Sequence, residues 1–173
     1  MSERDGRHDF DFLHGHWRIR NERLVGRLQG STTWETFDAP GAVRPILGGT
    51  GTLDEYSTSH WPGFEALSLR ILNPGTGLWS IHWADNVAGA LYPPTIGRFD
   101  GIRGDFYGDE VLDGRAIKVH FVWADVDTEH PTWSQSFSAD GGQTWEINWR
   151  MTFTRIEDDA VVAEQRHSMA EVA

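Results

Sequence analysis

The groups in this 173-residue chain best suited to chemistry are polar side chains set among indoles. Around the turn signal Asn73-Pro74-Gly75-Thr76-Gly77, the two-residue period of a strand sorts side chains into two faces. One carries Leu67, Leu69, Ile71, Trp79, Ile81 and Trp83; the other carries Ser68, Arg70, Leu72, Ser80 and His82. If the apolar set points inward, as is usual, Arg70 and His82 face solvent. If the polar set points inward, Arg70, Ser80 and His82 line a cavity and the aromatics form an interface. Similar faces recur. Ile117, Val119, Phe121 and Trp123 oppose Lys118 and His120, while Trp133, Gln135 and Phe137 oppose Ser134, Ser136 and Ser138. Gln135 is an amide that needs a partner if buried. On the first strand Trp17, Ile19, Asn21 and Arg23 share a face, which brings a polar pair toward one end. An aromatic wall with a few convergent polar groups is the usual anatomy of a small-molecule site. The candidate ligand-binding residues are therefore Arg70, His82, Trp83, Trp123, Trp133, Gln135 and Trp149.

Catalytic constellations are sparse. The chain has no Gly-x-Ser-x-Gly elbow and no Gly-rich phosphate loop. An enzyme built on it would be a cofactor-independent isomerase or cyclase, using acid–base groups whose pKa values burial shifts. His82, Arg70, Glu35 and Asp54 are the candidates. His8, Asp9, Asp11, His14 and His16 crowd together but meet no metal-ligand motif, and they read as a solvated approach to the first strand. No resident cofactor is implied. Proximal haem ligation needs only one histidine, so a nitrobindin-like haem barrel would use His82 or His120.

Composition narrows the classes further. A formal net charge of -11 argues against a nucleic-acid partner. No apolar run is long enough for a membrane span, the charged start Met1-Ser2-Glu3-Arg4-Asp5 lacks a secretory apolar region, and cysteine is absent. These features fit a cytoplasmic protein. The 9 Trp and 9 Phe must fill a core, line a cavity or form an interface. The partner they suggest is an apolar or aromatic small molecule, with a second copy of the chain (a homodimer) as the protein partner.

Short alternating runs broken by Gly, Pro, Asn and Asp predict consecutive antiparallel strands. They fall near residues 16–25, 31–37, 50–57, 64–72, 78–84, 95–99, 103–107, 115–124, 132–138 and 145–155. Pro40-Gly41, Gly48-Gly49 and Pro93-Pro94 read as breaks, and Asp113-Gly114 as a short hairpin turn. Residues 9–14 predict one helical turn; residues 158–170 carry an Asp cap but no apolar stripe. An all-β meander of about ten strands without covering helices must hide its edges, and an up-and-down antiparallel β-barrel does so completely. Residues 1–156 form this single domain, and 157–173 a tail that is a frayed helix or disordered.

Two motifs refine the picture. Gly15-His16-Trp17 opens the first strand and resembles the Gly-x-Trp signature of lipocalins, where the Trp plugs one barrel end beneath a basic residue of the last strand. Arg155, which shares the parity of Trp145, Ile147, Trp149, Met151 and Phe153, is the matching residue here. Ser138-Ala139-Asp140-Gly141-Gly142-Gln143-Thr144-Trp145 matches the Asp-box pattern Ser-x-Asp-x-Gly-x-Thr-Trp. Sialidase-like propellers repeat that box once per blade; one copy in a chain this short specifies a hairpin turn. From about Phe10 to Arg155 the sequence also resembles a bacterial family of lipocalin-like (calycin-type) proteins, through Phe10-Asp11-Phe12-Leu13-His14-Gly15-His16-Trp17, Leu69-Arg70-Ile71-Leu72-Asn73-Pro74, Trp79-Ser80-Ile81-His82-Trp83, Gly97-Arg98-Phe99-Asp100-Gly101, Asp113-Gly114-Arg115 and Asn148-Trp149. The resemblance implies a barrel with a ligand pocket. It carries no reaction and no catalytic residues.

Overall fold

The structure, a computed structural model, describes residues 5–157; the predicted helix at 158–170 and all of the predicted tail after Glu157 fall outside them. A single 3-10 turn at Asp11–Leu13 precedes eleven strands. They are β1 (Gly15–Leu24), β2 (Trp34–Ile46), β3 (Gly51–Ser57), β4 (Glu65–Asn73), β5 (Leu78–Asp85), β6 (Ala90–Leu91), β7 (Thr95–Asp100), β8 (Arg103–Leu112), β9 (Arg115–Ala124), β10 (Thr132–Ser138) and β11 (Glu146–Ile156). All pairings are antiparallel, in the order β4-β3-β2-β1-β11-β10-β9-β8-β7-β5, and β4 pairs with β5 to close the barrel. The two-residue β6 only edges β5. The all-β reading and neighbour-to-neighbour closure are thus observed. No helix among the described residues is long and apolar enough to cross a membrane.

Four local expectations are corrected. β2 runs through Pro40-Gly41 as one 13-residue strand. Pro40 lies one residue outside the ladder to β3, so its missing N–H costs nothing on that side. At Gly41 a Cβ would stand 2.6 Å from Ile19 Cδ1, so a larger residue there would displace the end of that side chain. β8 continues past residue 107 to Leu112, which pairs with Arg115 across the two-residue turn Asp113-Gly114. Both turn residues have positive φ, 50° and 78°, as a tight hairpin of this hand requires.

The third correction concerns the β4–β5 hairpin. Asn73 pairs with Leu78 across a loop of even length, so Leu72 faces Trp79, Arg70 faces Ile81 and Ser68 faces Trp83. Directly paired residues share a face, so neither predicted arrangement holds whole. Ser68, Arg70 and Leu72 turn inward together with Trp79 and Ile81, whereas His82 shares the outer face with Leu69. Fourth, β11 is bulged at Asn148: Gln135 pairs with Trp149, but Ser136 pairs with Ile147. The predicted shared parity therefore breaks. Trp149, Met151 and Phe153 are buried inside, and Trp145 and Ile147 lie on the outside.

One end of the barrel is solid. Trp17 is 2 % exposed, its indole N–H donates to Leu13 O at 2.7 Å, and the Arg155 guanidinium lies 4.2 Å over its ring. Arg155 also donates to the carbonyls of Phe12 and His14, at 2.8 and 2.6 Å. This latch explains Gly15, whose φ is +118° and whose Cβ would meet Arg155 Nη1 at 2.7 Å. The segment ahead of β1 supplies more than a solvated approach. Phe10 and Leu13 are fully buried, with Phe10 packed edge-on against Trp79 and Phe99 at 4.9 and 5.1 Å. His8 and Asp11 stay exposed, and no group of three metal-ligating side chains occurs among the described residues.

Candidate functional site

Beyond this packed end the barrel opens into a cavity of about 900 Å³, within the range of small-molecule sites. Its lining is of two kinds. On β3 and β4, the register that pairs Thr52 with Arg70 and Asp54 with Ser68 points four polar residues inward. Arg70 is 4 % exposed; its Nη2 donates to Asp54 Oδ2 at 2.8 Å and its Nη1 to Thr52 Oγ1 at 3.4 Å. Asp54 Oδ1 accepts the Ser68 backbone N–H at 2.8 Å, which completes a buried, internally neutral cluster. The guanidinium also faces the rings of Phe10 and Trp123, at 5.3 and 5.7 Å, and so joins the polar wall to the packed end.

The rest of the lining is largely aromatic. Trp149 stands edge-on to Trp133 at 6.0 Å, Trp61 at 6.1 Å and Trp83 at 6.3 Å, and Phe121 lies 5.0 Å from Trp133. Asn21 organises this aromatic part. Its side-chain oxygen accepts both the Trp149 indole N–H at 3.0 Å and the Tyr56 hydroxyl at 3.1 Å. Burial pushes the Tyr56 phenol far above its ordinary range, so it stays neutral. Gln135 finds the partner it requires: its Nε2 donates to Asn148 Oδ1 at 2.8 Å, at the bulge. Around the floor, Arg70 Nε, Trp123 Nε1 and Thr95 Oγ1 are buried without a hydrogen-bond partner.

The mouth carries charge. Arg23 pairs with Glu35 at 3.2 Å, and its guanidinium lies 4.8 Å over Trp61 and 5.4 Å over Trp149. Burial works to raise the Glu35 pKa, but hydrogen bonds from His60 and Arg23 hold it below the usual value. Glu110 lines the cavity with its carboxyl pushed up by burial.

Of the seven candidate residues, Arg70, Trp83, Trp123, Trp133, Gln135 and Trp149 line this cavity. His82 does not. His120 also lies outside, stacked on Tyr107 at 4.2 Å and bonded to Asp105 at 2.8 Å, and no histidine is among the lining residues. Proximal haem ligation by His82 or His120 therefore has no inward-facing imidazole to use. The lining also includes Arg27, Tyr56, Trp61 and Thr95, which sequence reasoning did not single out. Trp61 and Arg27 sit in loops, where no two-residue period exists to flag them; the aromatic pair Trp61 and Phe64 around Pro62-Gly63 is the one available signal.

The fold and the site together define a closed antiparallel β-barrel with an aromatic-walled internal cavity, an architecture compatible with a calycin-like fold. No protein-family model matches the chain, and no curated protein matches it in sequence.

Proposed function

We propose that the protein binds an apolar or aromatic small molecule inside the barrel. The observation that carries this reading is the cavity itself: about 900 Å³ bounded by Trp61, Trp83, Trp133 and Trp149, in a barrel whose other end is packed solid with similar rings. A flat ligand would stack on the indole faces and leave its polar atoms to Arg70 and Gln135. Binding is favoured over turnover by the state of the acid–base candidates. Asp54 and Glu35 are held in ion pairs, and His82 faces away from the cavity.

Titration with 1-pyrenebutanol, a flat probe with a neutral head, tests the reading. Indole emission should fall as the probe binds, and calorimetry should give a negative heat-capacity change from apolar burial. An unchanged emission spectrum together with no binding heat would remove the basis for a ligand site.

A further inference from the structure

The mouth of the cavity has one arginine without an ion-pair partner among the described residues. Most of the lining carboxylates are accounted for: Asp54 is held by Arg70, and Asp109 pairs with Lys118. Asp85 accepts the backbone N–H groups of Val87 and Ala88 and the Trp83 indole N–H. Asp113 is exposed at a turn tip, and Glu110 is pushed by burial toward its neutral form. Of the three lining arginines, Arg70 and Arg23 have carboxylate partners, and Arg27 has none among the described residues.

Arg27 is nevertheless held in place. The next residue, Leu28, adopts a left-handed φ of 58°, donates its N–H to Glu146 Oε1 at 2.7 Å and packs on the cluster of Ile117, Val119 and Phe137. This pins the β1–β2 loop and sets the Arg27 guanidinium 5.4 Å over the Phe137 ring. Burial, and then the neighbouring Arg23, work against its charged form, while Glu110 and Asp113 favour it from a distance. A positioned, partly desolvated guanidinium beside a second arginine is a site at which an incoming carboxylate gains charge-assisted hydrogen bonds.

We propose that the cavity selects a flat aromatic carboxylic acid, its carboxylate against Arg27 and its rings among Trp61, Trp133 and Trp149. The proposal rests on the cavity being the ligand site, and the test separates the two. Three probes share one ring system: 1-pyrenebutyrate, 1-pyrenebutanol and 1-pyrenebutylamine. The acid should bind about tenfold more tightly than the alcohol, the size of one charge-assisted hydrogen bond, with the amine weakest. Arg27→Gln should bring the acid-to-alcohol affinity ratio down to about one, and Arg27→Lys should restore part of the preference. Equal binding of acid and alcohol would overturn the proposal while leaving the cavity as a ligand site. Tightest binding of the amine would overturn it too, by showing that Glu110 and its neighbours set the sign. Binding of none of the three would remove both readings. Should Arg27→Gln lower the urea midpoint, the three-probe series on the unmodified protein still decides.

Discussion

The two ends of the barrel are both built from aromatic rings, yet one is solid and the other hollow. At the closed end Phe10, inserted from ahead of β1, fills the space between Trp79, Phe99, Phe106 and Trp123 with ring centroids 4.9 to 6.2 Å apart. At the open end Trp61, Trp83 and Trp133 surround Trp149 at 6.0 to 6.3 Å, the Arg23 guanidinium lies over Trp61 and Trp149, and a cavity of about 900 Å³ stays open beside them. The polar handles differ too. Trp17 and Trp79 donate their indole N–H groups to the backbone carbonyls of Leu13 and Gly6, whereas Trp83 and Trp149 donate to the side chains of Asp85 and Asn21. Aromatic content alone therefore does not distinguish core from cavity. What distinguishes them is whether the entering segment fills the space between the strands, as Phe10 does, or only lines it, as the loop carrying Trp61 does.

This comparison orders the expected effects of substitution. Trp17→Ala removes the ring that Leu13 and Arg155 hold in the closed end, and should cost about 3 to 5 kcal/mol in a urea titration. A cost below about 1 kcal/mol would mean that the end is not closed by this residue. Arg70→Met strands the Asp54 carboxylate at the junction of the two ends, and should cost about 2 to 3 kcal/mol because breaking a buried pair leaves a charge unpaired. Asp54→Asn combined with Arg70→Met should recover part of that loss, and a strictly additive double mutant would break the assigned pair.

Trp133→Phe sharpens the contrast from the open side. Its ring is only half-buried, so the stability loss should stay within about 1 kcal/mol, while binding of a pyrene probe weakens severalfold. The reverse pattern, a large stability loss with unchanged binding, would make the open end ordinary core. The smallest effect is expected at the rim, in the β10–β11 hairpin. There the Thr144 hydroxyl and backbone N–H, with Ser138 and the Gln143 N–H, donate to the Asp140 carboxylate and hold its pKa far below the usual range. A carboxyl with a depressed folded pKa stabilises the fold above its unfolded pKa, about 3.9, and loses that contribution as pH falls toward the folded value. The urea midpoint of Asp140→Asn should thus trail the unmodified protein by a constant interval above about pH 5, and the gap should narrow progressively as pH falls below about 4 toward the folded pKa. A gap that does not narrow as the pH is lowered would point to lost packing instead.

Much of this architecture was legible because antiparallel pairing leaves a two-residue trace. β9 and β10 begin and end where alternation predicts, and six of the seven candidate residues fall on the cavity lining. The illegible parts have physical reasons. Gly108, Asp109 and Glu110 are poor strand formers, yet pairing with β9 carries β8 through them; the two-residue turn Asp113-Gly114 already implied that extension. The inward turn of Arg70 follows from the even length of the β4–β5 loop, a count that the apolar-inward rule overrode. The bulge at Asn148 has no residue code, so the reversal of Trp145 and Ile147 could not be read. Trp61 and Arg27 reach the cavity from loops, where only the folded chain brings them to the mouth.

On the proposed reading the hollow end, and not the packed one, receives the ligand. Indole N–H resonances report it directly, because each tryptophan gives one assignable nitrogen–proton signal. On titration with 1-pyrenebutyrate, the signals of Trp83, Trp133 and Trp149 should shift together and saturate, while those of Trp17 and Trp79 stay within line width. Shifts led by Trp17 and Trp79, or no shift at any indole, would contradict the account.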